Sequence, residues 1–310
     1  MNTGPDLSVN LAGIRMKNPV MAASGTFGYG PEYAGLVDLN RLGAVVVKGI
    51  SLEPAPGNPT PRMLEVPGGL LNAIGLQNPG VDGFIQHDLP FLRRHEVAVI
   101  VNLWGKRVAD YAEVAARLDG TPGVHGLELN ISCPNIQEGG LAFGSDPRMA
   151  HAVTAAVRAR TRLPLIPKLP PNSGDIPTLA RAVVEAGADA ISLINSFPAM
   201  AIDVERRTPI LANVTGGLSG PAIHPVAVKL VWDAARAVKV PIIGIGGITC
   251  AKDALEFLIA GASAVAVGTA TFTDPHTCLA VIAGIEDYLR RHNLPTVRDL
   301  TGSLQLPPRP

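Results

Sequence analysis

The sequence has few aromatic residues and no excess of charge of either sign. Aromatics make up 4% of the 310 residues, so a core built from the 47% of hydrophobic residues must consist mainly of Ala, Val, Leu and Ile. Lys plus Arg and Asp plus Glu number 26 each, which gives a formal net charge of zero. Nucleic-acid binding usually requires a basic excess, so we expect no nucleic-acid partner.

Cysteines and long apolar runs are also scarce. The three cysteines, Cys133, Cys250 and Cys278, are too few and too widely spaced to predict a disulfide framework, a zinc site or an ordinary iron–sulfur cluster. No apolar run reaches the ~18 residues of a membrane span, and the N-terminus lacks the apolar region of a secretory signal. These absences predict a cytoplasmic protein with no membrane contact. Cys250 and Cys278 are interpreted as packing residues.

Short apolar runs alternate with helical patterns along the chain. Continuous apolar runs are typical of parallel strands that are covered on both faces. The predicted strands are residues 19–23, 44–47, 97–101, 126–129, 163–167, 190–194, 240–245 and 264–267. Helical patterns between them include residues 108–118, 147–160, 176–186 and 251–259. This alternation predicts an α/β protein with a (β/α)8 TIM barrel, formed as one domain over residues 1–310.

Three further segments do not fit the simple repeat. Residues 7–17 predict a short N-terminal hairpin, which would lie at the floor of the barrel. The connections 51–96 and 197–239 are too long for simple turns, and long loops on the catalytic face of a barrel usually shape the site. The proline-rich C-terminus predicts disorder from about residue 303.

Almost every predicted strand ends in polar residues or glycine. In a TIM barrel all the strand C-termini open on one face, so these groups would converge there. They are Ser24-Gly25, Lys48-Gly49, Asn102, Asn130 to Cys133, Lys168, Asn195-Ser196, Gly246-Gly247 and Gly268-Thr269, with Asn72 added from a loop. A ring of amides and two lysines favours a binding or catalytic site at this face.

Cys133 stands out within this ring. It follows the predicted strand 126–129 within the sequence LELNISCPN, and Pro134 supplies the stop after the strand. A thiol at the mouth of a barrel can act as a base or nucleophile, whereas a lone cysteine elsewhere is more often a packing residue.

The last two strands predict a phosphate site. Glycine allows backbone N–H groups to approach an oxyanion closely, and barrel enzymes often bind phosphate after strands seven and eight. The run GIGGIT at 244–249 does not match a dinucleotide-binding G-x-G-x-x-G motif, because Thr249 replaces the last glycine. A phosphate near lysines and amides suits flavin mononucleotide (FMN), with Lys168 favouring the reduced flavin. The alternative is a phosphate-binding aldolase or isomerase that uses Lys168 as a Schiff-base lysine, or a plain structural ion pair.

The chain resembles the class 1, type B dihydroorotate dehydrogenases over nearly its whole length. The resemblance is carried by ASGTFGYG at 23–30, VKGI at 47–50, NAIGLQNPG at 72–80, NISCPN at 130–135 and TGGLSGP at 215–221. It implies oxidation of dihydroorotate to orotate in pyrimidine biosynthesis with bound FMN. Ala22, Ser196 and the segment LPPNSGD at 169–175 depart from the usual family pattern.

Matching positions imply specific roles. Cys133 is the implied catalytic base. The implied substrate contacts are Lys48, Asn72, Ala73, Ile74, Gly75, Leu76, Asn130, Asn195 and Ser196. The implied FMN contacts are Ser24, Lys48, Gly49, Asn102, Asn130, Lys168, Ile194, Gly220, Gly246, Gly247, Gly268 and Thr269. No metal site is implied on this chain.

The resemblance also implies partners. Type B catalytic chains pair with an iron–sulfur flavoprotein that carries FAD and a 2Fe–2S cluster and passes electrons to NAD, as a homodimer within a heterotetramer. The nearest rival family is the dihydropyrimidine dehydrogenases, in which Pro-His tends to follow the cysteine where Pro134-Asn135 stands here. A non-catalytic barrel subunit is disfavoured because a binder needs no base.

Overall fold

Eight parallel strands close into a barrel in the computed structural model, which describes residues 4–132 and 141–307. The strands are β1 Val9–Leu11, β2 Ile14–Met16, β3 Val20–Ala22, β4 Ala44–Ile50, β5 Met63–Val66, β6 Gly69–Asn72, β7 Ala98–Leu103, β8 Gly126–Asn130, β9 Leu165–Leu169, β10 Ile191–Leu193, β11 Phe197–Ala199, β12 Ile202–Asp203, β13 Thr208–Pro209, β14 Gly216–Ser219, β15 Ile242–Ile245 and β16 Ala264–Val267. The barrel order is β3-β4-β7-β8-β9-β10-β15-β16, and β16 pairs with β3 to close it.

Helices surround the barrel strands. They are α1 Pro31–Ala34, α2 Gly80–Gly83, α3 Leu89–Leu92, α4 Val108–Leu118, α5 Leu141–Ser145, α6 Pro147–Arg158, α7 Ile176–Glu185, α8 His224–Ala237, α9 Ala251–Ala260, α10 Ala270–Thr273 and α11 Thr277–Arg291. The longer ones, α4, α6, α7, α8, α9 and α11, pack side by side on the outside of the barrel. A π-helical turn, Phe84–Asp88, joins α2 to α3. Across the described part of the chain, no helix combines the length and the apolar character that a membrane crossing needs.

The predicted (β/α)8 barrel is confirmed. Each of the eight predicted apolar runs contains one barrel strand or overlaps it closely, and α4 spans the predicted residues 108–118. The barrel strands are buried on both faces, as their continuous apolar character requires. Ala, Val, Leu and Ile fill the single large core that surrounds the barrel, with few aromatic side chains among them.

The N-terminal hairpin β1–β2 lies at the floor of the barrel, as predicted. Its strands pair in antiparallel register, with Leu11 opposite Ile14. The side chain of Ile14 packs so closely over Gly126, the first residue of β8, that a Cβ there would lie 2.6 Å from its Cδ1. The hairpin therefore seals the end of the barrel opposite the strand C-termini.

The C-terminal segment is held against α9 as far as Leu304, and disorder from about residue 303 stays a prediction for the residues that follow. The N–H of Leu304 donates to the carbonyl of Ile259 at 3.3 Å, and the N–H of Gly302 donates to the carbonyl of Leu258 at 3.0 Å. These two bonds hold the chain against the end of α9. Residues 308–310 lie outside the described part of the chain.

The two long connections build one sheet together. Strand β6 from the first connection pairs with β14 from the second, so that Leu71 lies opposite Leu218. With β5 and β11 at its edges, this antiparallel sheet has the order β11-β14-β6-β5. It stands over the C-terminal ends of the barrel strands and forms a wall of the cavity described below.

Gly43, which precedes β4, provides a test of the close packing around the barrel. A Cβ at this position would lie 2.2 Å from the backbone oxygen of Asn18 and 2.8 Å from that of Val20, and neither oxygen can move without disturbing β3. We expect Gly43→Ala to lower the free energy of unfolding by about 1–3 kcal/mol. Urea denaturation at unchanged m-value would measure this loss.

Gly35 offers a matched control for that substitution. It has a φ of −78°, and a Cβ there would meet no atom within 4 Å. Gly35→Ala should change the free energy of unfolding by no more than about 0.5 kcal/mol. Equal effects of the two substitutions would contradict the packing argument.

Candidate active site

The C-terminal ends of the barrel strands open into a cavity of about 270 Å³, walled on one side by the β11-β14-β6-β5 sheet. The structure brings nearly all the predicted site residues to this cavity. Its lining includes Ser24, Lys48, Gly49, Asn72, Ile74, Gly75, Leu76, Asn102, Asn130, Lys168, Ile194, Asn195, Ser196, Gly220, Gly246, Gly247, Gly268 and Thr269. Residues separated by more than 200 positions in the sequence therefore share one site.

Two predicted residues are not among the lining residues. Ala73 is fully buried behind the sheet, where it packs in a small cluster with Leu71 and Leu211. Its N–H donates to the carbonyl of Arg62 at 2.8 Å and its carbonyl accepts from Asn58 at 2.9 Å. Ala73 therefore supports the loop that carries Ile74 and Gly75. Cys133 lies outside the described residues.

Below the cavity, Glu128 on β8 places a carboxylate inside the barrel. Its side chain is 2% exposed. Its Oε1 accepts from Ser24 Oγ at 3.0 Å and from Asn102 Nδ2 at 2.6 Å, and its Oε2 accepts from Ser192 Oγ at 2.8 Å. Lys168 Nζ lies 3.9 Å from Oε1 and donates to Ser24 Oγ at 3.3 Å.

Strand register explains this arrangement. Asn102 on β7 is the neighbour of Glu128 on β8, and Lys168 on β9 is the neighbour of both Asn130 and Ser192. Because side chains alternate along a strand, Glu128 and Asn130 point to the same, inner face of β8. The barrel interior is therefore polar directly below the cavity and apolar further down.

Three amide side chains form a row from this polar layer into the cavity. Asn130 Nδ2 lies 3.5 Å from Asn102 Oδ1, and Asn195 Nδ2 lies 3.4 Å from Asn130 Oδ1. Asn195 Nδ2 also donates to Ser132 Oγ at 2.9 Å. The N–H of Ser196 donates to Asn195 Oδ1 at 2.8 Å, and its hydroxyl lies 3.5 Å from the same oxygen. The serine that departs from the family pattern thus keeps a polar contact within the site.

Lys48 brings a cation to another part of the cavity. It is the half-buried residue of β4, and burial lowers its pKa. The guanidinium of Arg62 lowers the pKa of Lys48 further, while Glu32 opposes the shift. Two cations close enough to repel each other at one cavity suit a ligand that carries a carboxylate.

One end of the cavity is built from glycine backbone. Gly220, Gly246 and Gly247 have φ values of 102°, 138° and 66°, which L-residues with a Cβ rarely adopt. A Cβ at Gly247 would lie 2.8 Å from the carbonyl oxygen of Gly220. Beside them, Thr269 Oγ1 donates to Ser219 Oγ at 2.8 Å. The backbone and hydroxyl groups that line this end of the cavity suit the oxygens of a phosphate.

Sequence reasoning missed Glu128 and Arg62. Glu128 interrupts an apolar strand two positions before Asn130, and this charged residue within a buried run was the available signal. Arg62 follows a proline-rich loop, and only the folded chain places it on the lining of the same cavity as Lys48.

The two described cysteines differ in their exposure to solvent. Cys278 is buried, as predicted, and burial raises the pKa of its thiol to about 12. Cys250 is exposed at the start of α9, so its interpretation as a packing residue is wrong. The apolar run that follows it faces the core, but the residue itself lies before the first turn of the helix.

The lowered pKa of Lys48 has a consequence for stability. Its pKa in the folded protein lies below the ordinary value of 10.5, so the charged lysine costs stability at pH 7 and this cost disappears as the pH rises through the folded pKa toward 10.5. We expect Lys48→Met to raise the Tm at pH 7, with a smaller difference at pH 10. Lys106→Met, at an exposed position, serves as the control. A Tm gain at pH 10 as large as the gain at pH 7 would contradict the lowered pKa of Lys48.

Comparisons with known proteins agree with this geometry. The family described as dihydroorotate dehydrogenase matches residues 6–289. A protein of Pelobacter propionicus named dihydroorotate dehydrogenase B (NAD(+)), catalytic subunit, is 58% identical over 301 residues, which cover 97% of this chain and 99% of the relative. Proteins of the same name from Geobacter sp. strain M21 and Geobacter sulfurreducens are 57% and 54% identical over 302 residues, with the same coverage. The chain therefore belongs to the dihydroorotate dehydrogenase family.

Proposed function

We propose that this chain oxidises dihydroorotate to orotate in pyrimidine biosynthesis with bound FMN. The observation that carries the proposal is a single cavity that combines Lys48, a row of amides and a glycine-built end. The relatives that match 97% of the chain are named for this activity.

The residues present fit FMN. Gly246 and Gly247 adopt backbone conformations that leave no room for side chains, and they share the cavity wall with Gly268 and Thr269. We propose that this end holds the phosphate. Lys168 lines the same cavity and would supply positive charge that favours a negatively charged reduced flavin. When bound, FMN supplies an acceptor for the hydride.

The substrate would use the remaining polar groups. Dihydroorotate has a carboxylate and a ring edge of alternating N–H and C=O groups. Lys48 would pair with the carboxylate, and the amides of Asn72, Asn130 and Asn195 would match the ring edge because each offers a donor and an acceptor. Ile74 and Leu76 line the cavity with apolar surface, which helps to exclude water.

Oxidation of dihydroorotate also requires a base for the proton at C5. We propose Cys133, on the strength of the family resemblance. Ser132, the described residue before it, is buried and accepts a hydrogen bond from Asn195. Position 133 is thus the next residue in the sequence after one that is hydrogen-bonded to Asn195.

Electrons must then leave the reduced flavin. The relatives are named as catalytic subunits of an NAD(+) enzyme, which supports a partner for this chain. We propose that the partner is an iron–sulfur flavoprotein with FAD and a 2Fe–2S cluster, and that two catalytic chains pair within a heterotetramer. The break in the dinucleotide motif at Thr249 agrees with NAD binding elsewhere.

Anaerobic mixing tests the proposed reaction directly. We expect the purified protein to be yellow, and dihydroorotate to bleach its flavin absorbance within a single turnover. Dihydrouracil should not bleach it, which separates this activity from that of a dihydropyrimidine dehydrogenase. NAD should restore the colour only when the partner subunit is present. Colourless protein that FMN cannot reconstitute would favour an aldolase and end the proposal.

Cys133→Ala tests the base. The variant should keep its bound flavin, while the rate of flavin reduction by dihydroorotate should fall about 10²–10⁴-fold, the usual contribution of general base catalysis. In the unaltered protein the rate should rise with pH as the thiolate forms, and this dependence should be absent from the variant.

Cys250→Ala is the matched control, because Cys250 is an exposed cysteine outside the cavity lining. Stopped-flow absorbance at several pH values measures both variants. A Cys133→Ala protein that reduces its flavin at a near-normal rate would rule out Cys133 as the base.

A further inference from the structure

Glu128 accepts hydrogen bonds from residues that line the cavity, but it is not itself a lining residue. Ser24 and Asn102, which donate to its carboxylate, both line the cavity, and so does Lys168, whose Nζ lies 3.9 Å away. A carboxylate that is 2% exposed persists only when donors surround it, because burial of an uncompensated charge is costly. An apolar residue could fill the same space in the barrel, so the presence of a charge calls for a functional reason.

We propose that Glu128 is a positioning residue, whose ionised carboxylate sets the direction of the Asn102–Asn130–Asn195 amide row and offsets part of the charge that Lys168 presents to the flavin. The inference rests on the proposed function because it concerns the same cavity. It assigns a role to a side chain that is not among the lining residues of the cavity.

The direction of the amide row follows from hydrogen-bond chemistry. An ionised carboxylate only accepts, so Asn102 must turn its Nδ2 toward Glu128 at 2.6 Å. The Oδ1 of Asn102 is then left as the acceptor for Asn130 Nδ2, and Asn130 Oδ1 is in turn left for Asn195 Nδ2. One acceptor at the base of the row thus decides which atom each amide presents to the cavity.

The effect on charge follows from distance and burial. Lys168 and Glu128 are 7% and 2% exposed and lie 3.9 Å apart, so solvent screens their interaction only weakly. The Ser24 hydroxyl links them, since it accepts from Lys168 and donates to Glu128. Negative charge on a reduced flavin is therefore stabilised by Lys168 and opposed by Glu128. Removal of the carboxylate charge should make the flavin easier to reduce.

Two substitutions separate the two effects. Glu128→Gln keeps the shape and an acceptor oxygen for Asn102, while its Nε2 can donate to the Ser192 hydroxyl, which accepts as well as donates. This variant loses the charge and keeps the amide direction. Glu128→Leu loses both the charge and the acceptor. Ser192→Ala is the control, because it removes a hydrogen bond from the same carboxylate without changing any charge.

The first measurement is the midpoint potential of the FMN-loaded protein, by equilibration with redox dyes. We expect Glu128→Gln to favour binding of reduced over oxidised flavin by about tenfold more than the unaltered protein does, which is about 30 mV for a two-electron couple. Ser192→Ala should leave the potential unchanged. A potential for Glu128→Gln that is equal to or below that of the unaltered protein would overturn the charge argument.

The second measurement is the dissociation constant of orotate from the FMN-loaded proteins. Glu128→Leu should weaken orotate binding by roughly tenfold or more, because the amides lose their fixed direction, and Glu128→Gln should change it by less than about threefold. Equal orotate affinity in both variants would overturn the role in amide direction. If Glu128→Leu does not fold, a loss of affinity in Glu128→Gln as large as that expected for Leu would overturn it instead.

Neither measurement requires turnover. An unaltered protein whose flavin dihydroorotate does not reduce would end the proposed function, and the potentials would still decide the role of Glu128. The results that would overturn the role of Glu128 therefore differ from those that would overturn the proposed reaction.

Discussion

An ionised carboxylate inside a closed barrel must be surrounded by donors, and this requirement organises the centre of the molecule. The donors to Glu128 come from β7, from β10 and from the second residue after β3, and the nearby cation comes from β9. Ser24 and Ser192 belong to the segment after β3 and to β10, which do not pair with β8, and they reach its carboxylate across the barrel interior. The site therefore depends on the curvature of the barrel as well as on the pairing of neighbouring strands.

The barrel and the position of the site could be predicted from the sequence because both depend on local patterns. Apolar runs of four to six residues identify strands buried on both faces, and the polar residues that end them mark one mouth of the barrel. Capping residues support the helix boundaries. Asp146 and Asp175 accept from backbone N–H groups at the starts of α6 and α7, which begin where the pattern predicts.

What could not be predicted depends on contacts between distant residues. Nothing in the two long connections indicates that β6 would pair with β14, since short strands with exposed faces have weak patterns. Glu128 was missed for a different reason, because a lone charge in an apolar strand acquires its meaning only from neighbours on other strands. Cys250 is exposed because it is the N-cap residue of α9, just before the first turn. The sequence pattern does not fix such a helix boundary to a single residue.

The β6–β14 pairing has a consequence for the order in which the molecule can be made. Asn72 and Gly217, which face each other in this pairing, are 145 residues apart. The wall of the cavity cannot exist until β14 has emerged from the ribosome, and the barrel cannot close until β16 joins β3. A small molecule that binds this cavity therefore cannot assist the early stages of synthesis. Its binding free energy stabilises only the finished chain, in those molecules in which the first and last barrel strands, β3 and β16, are paired.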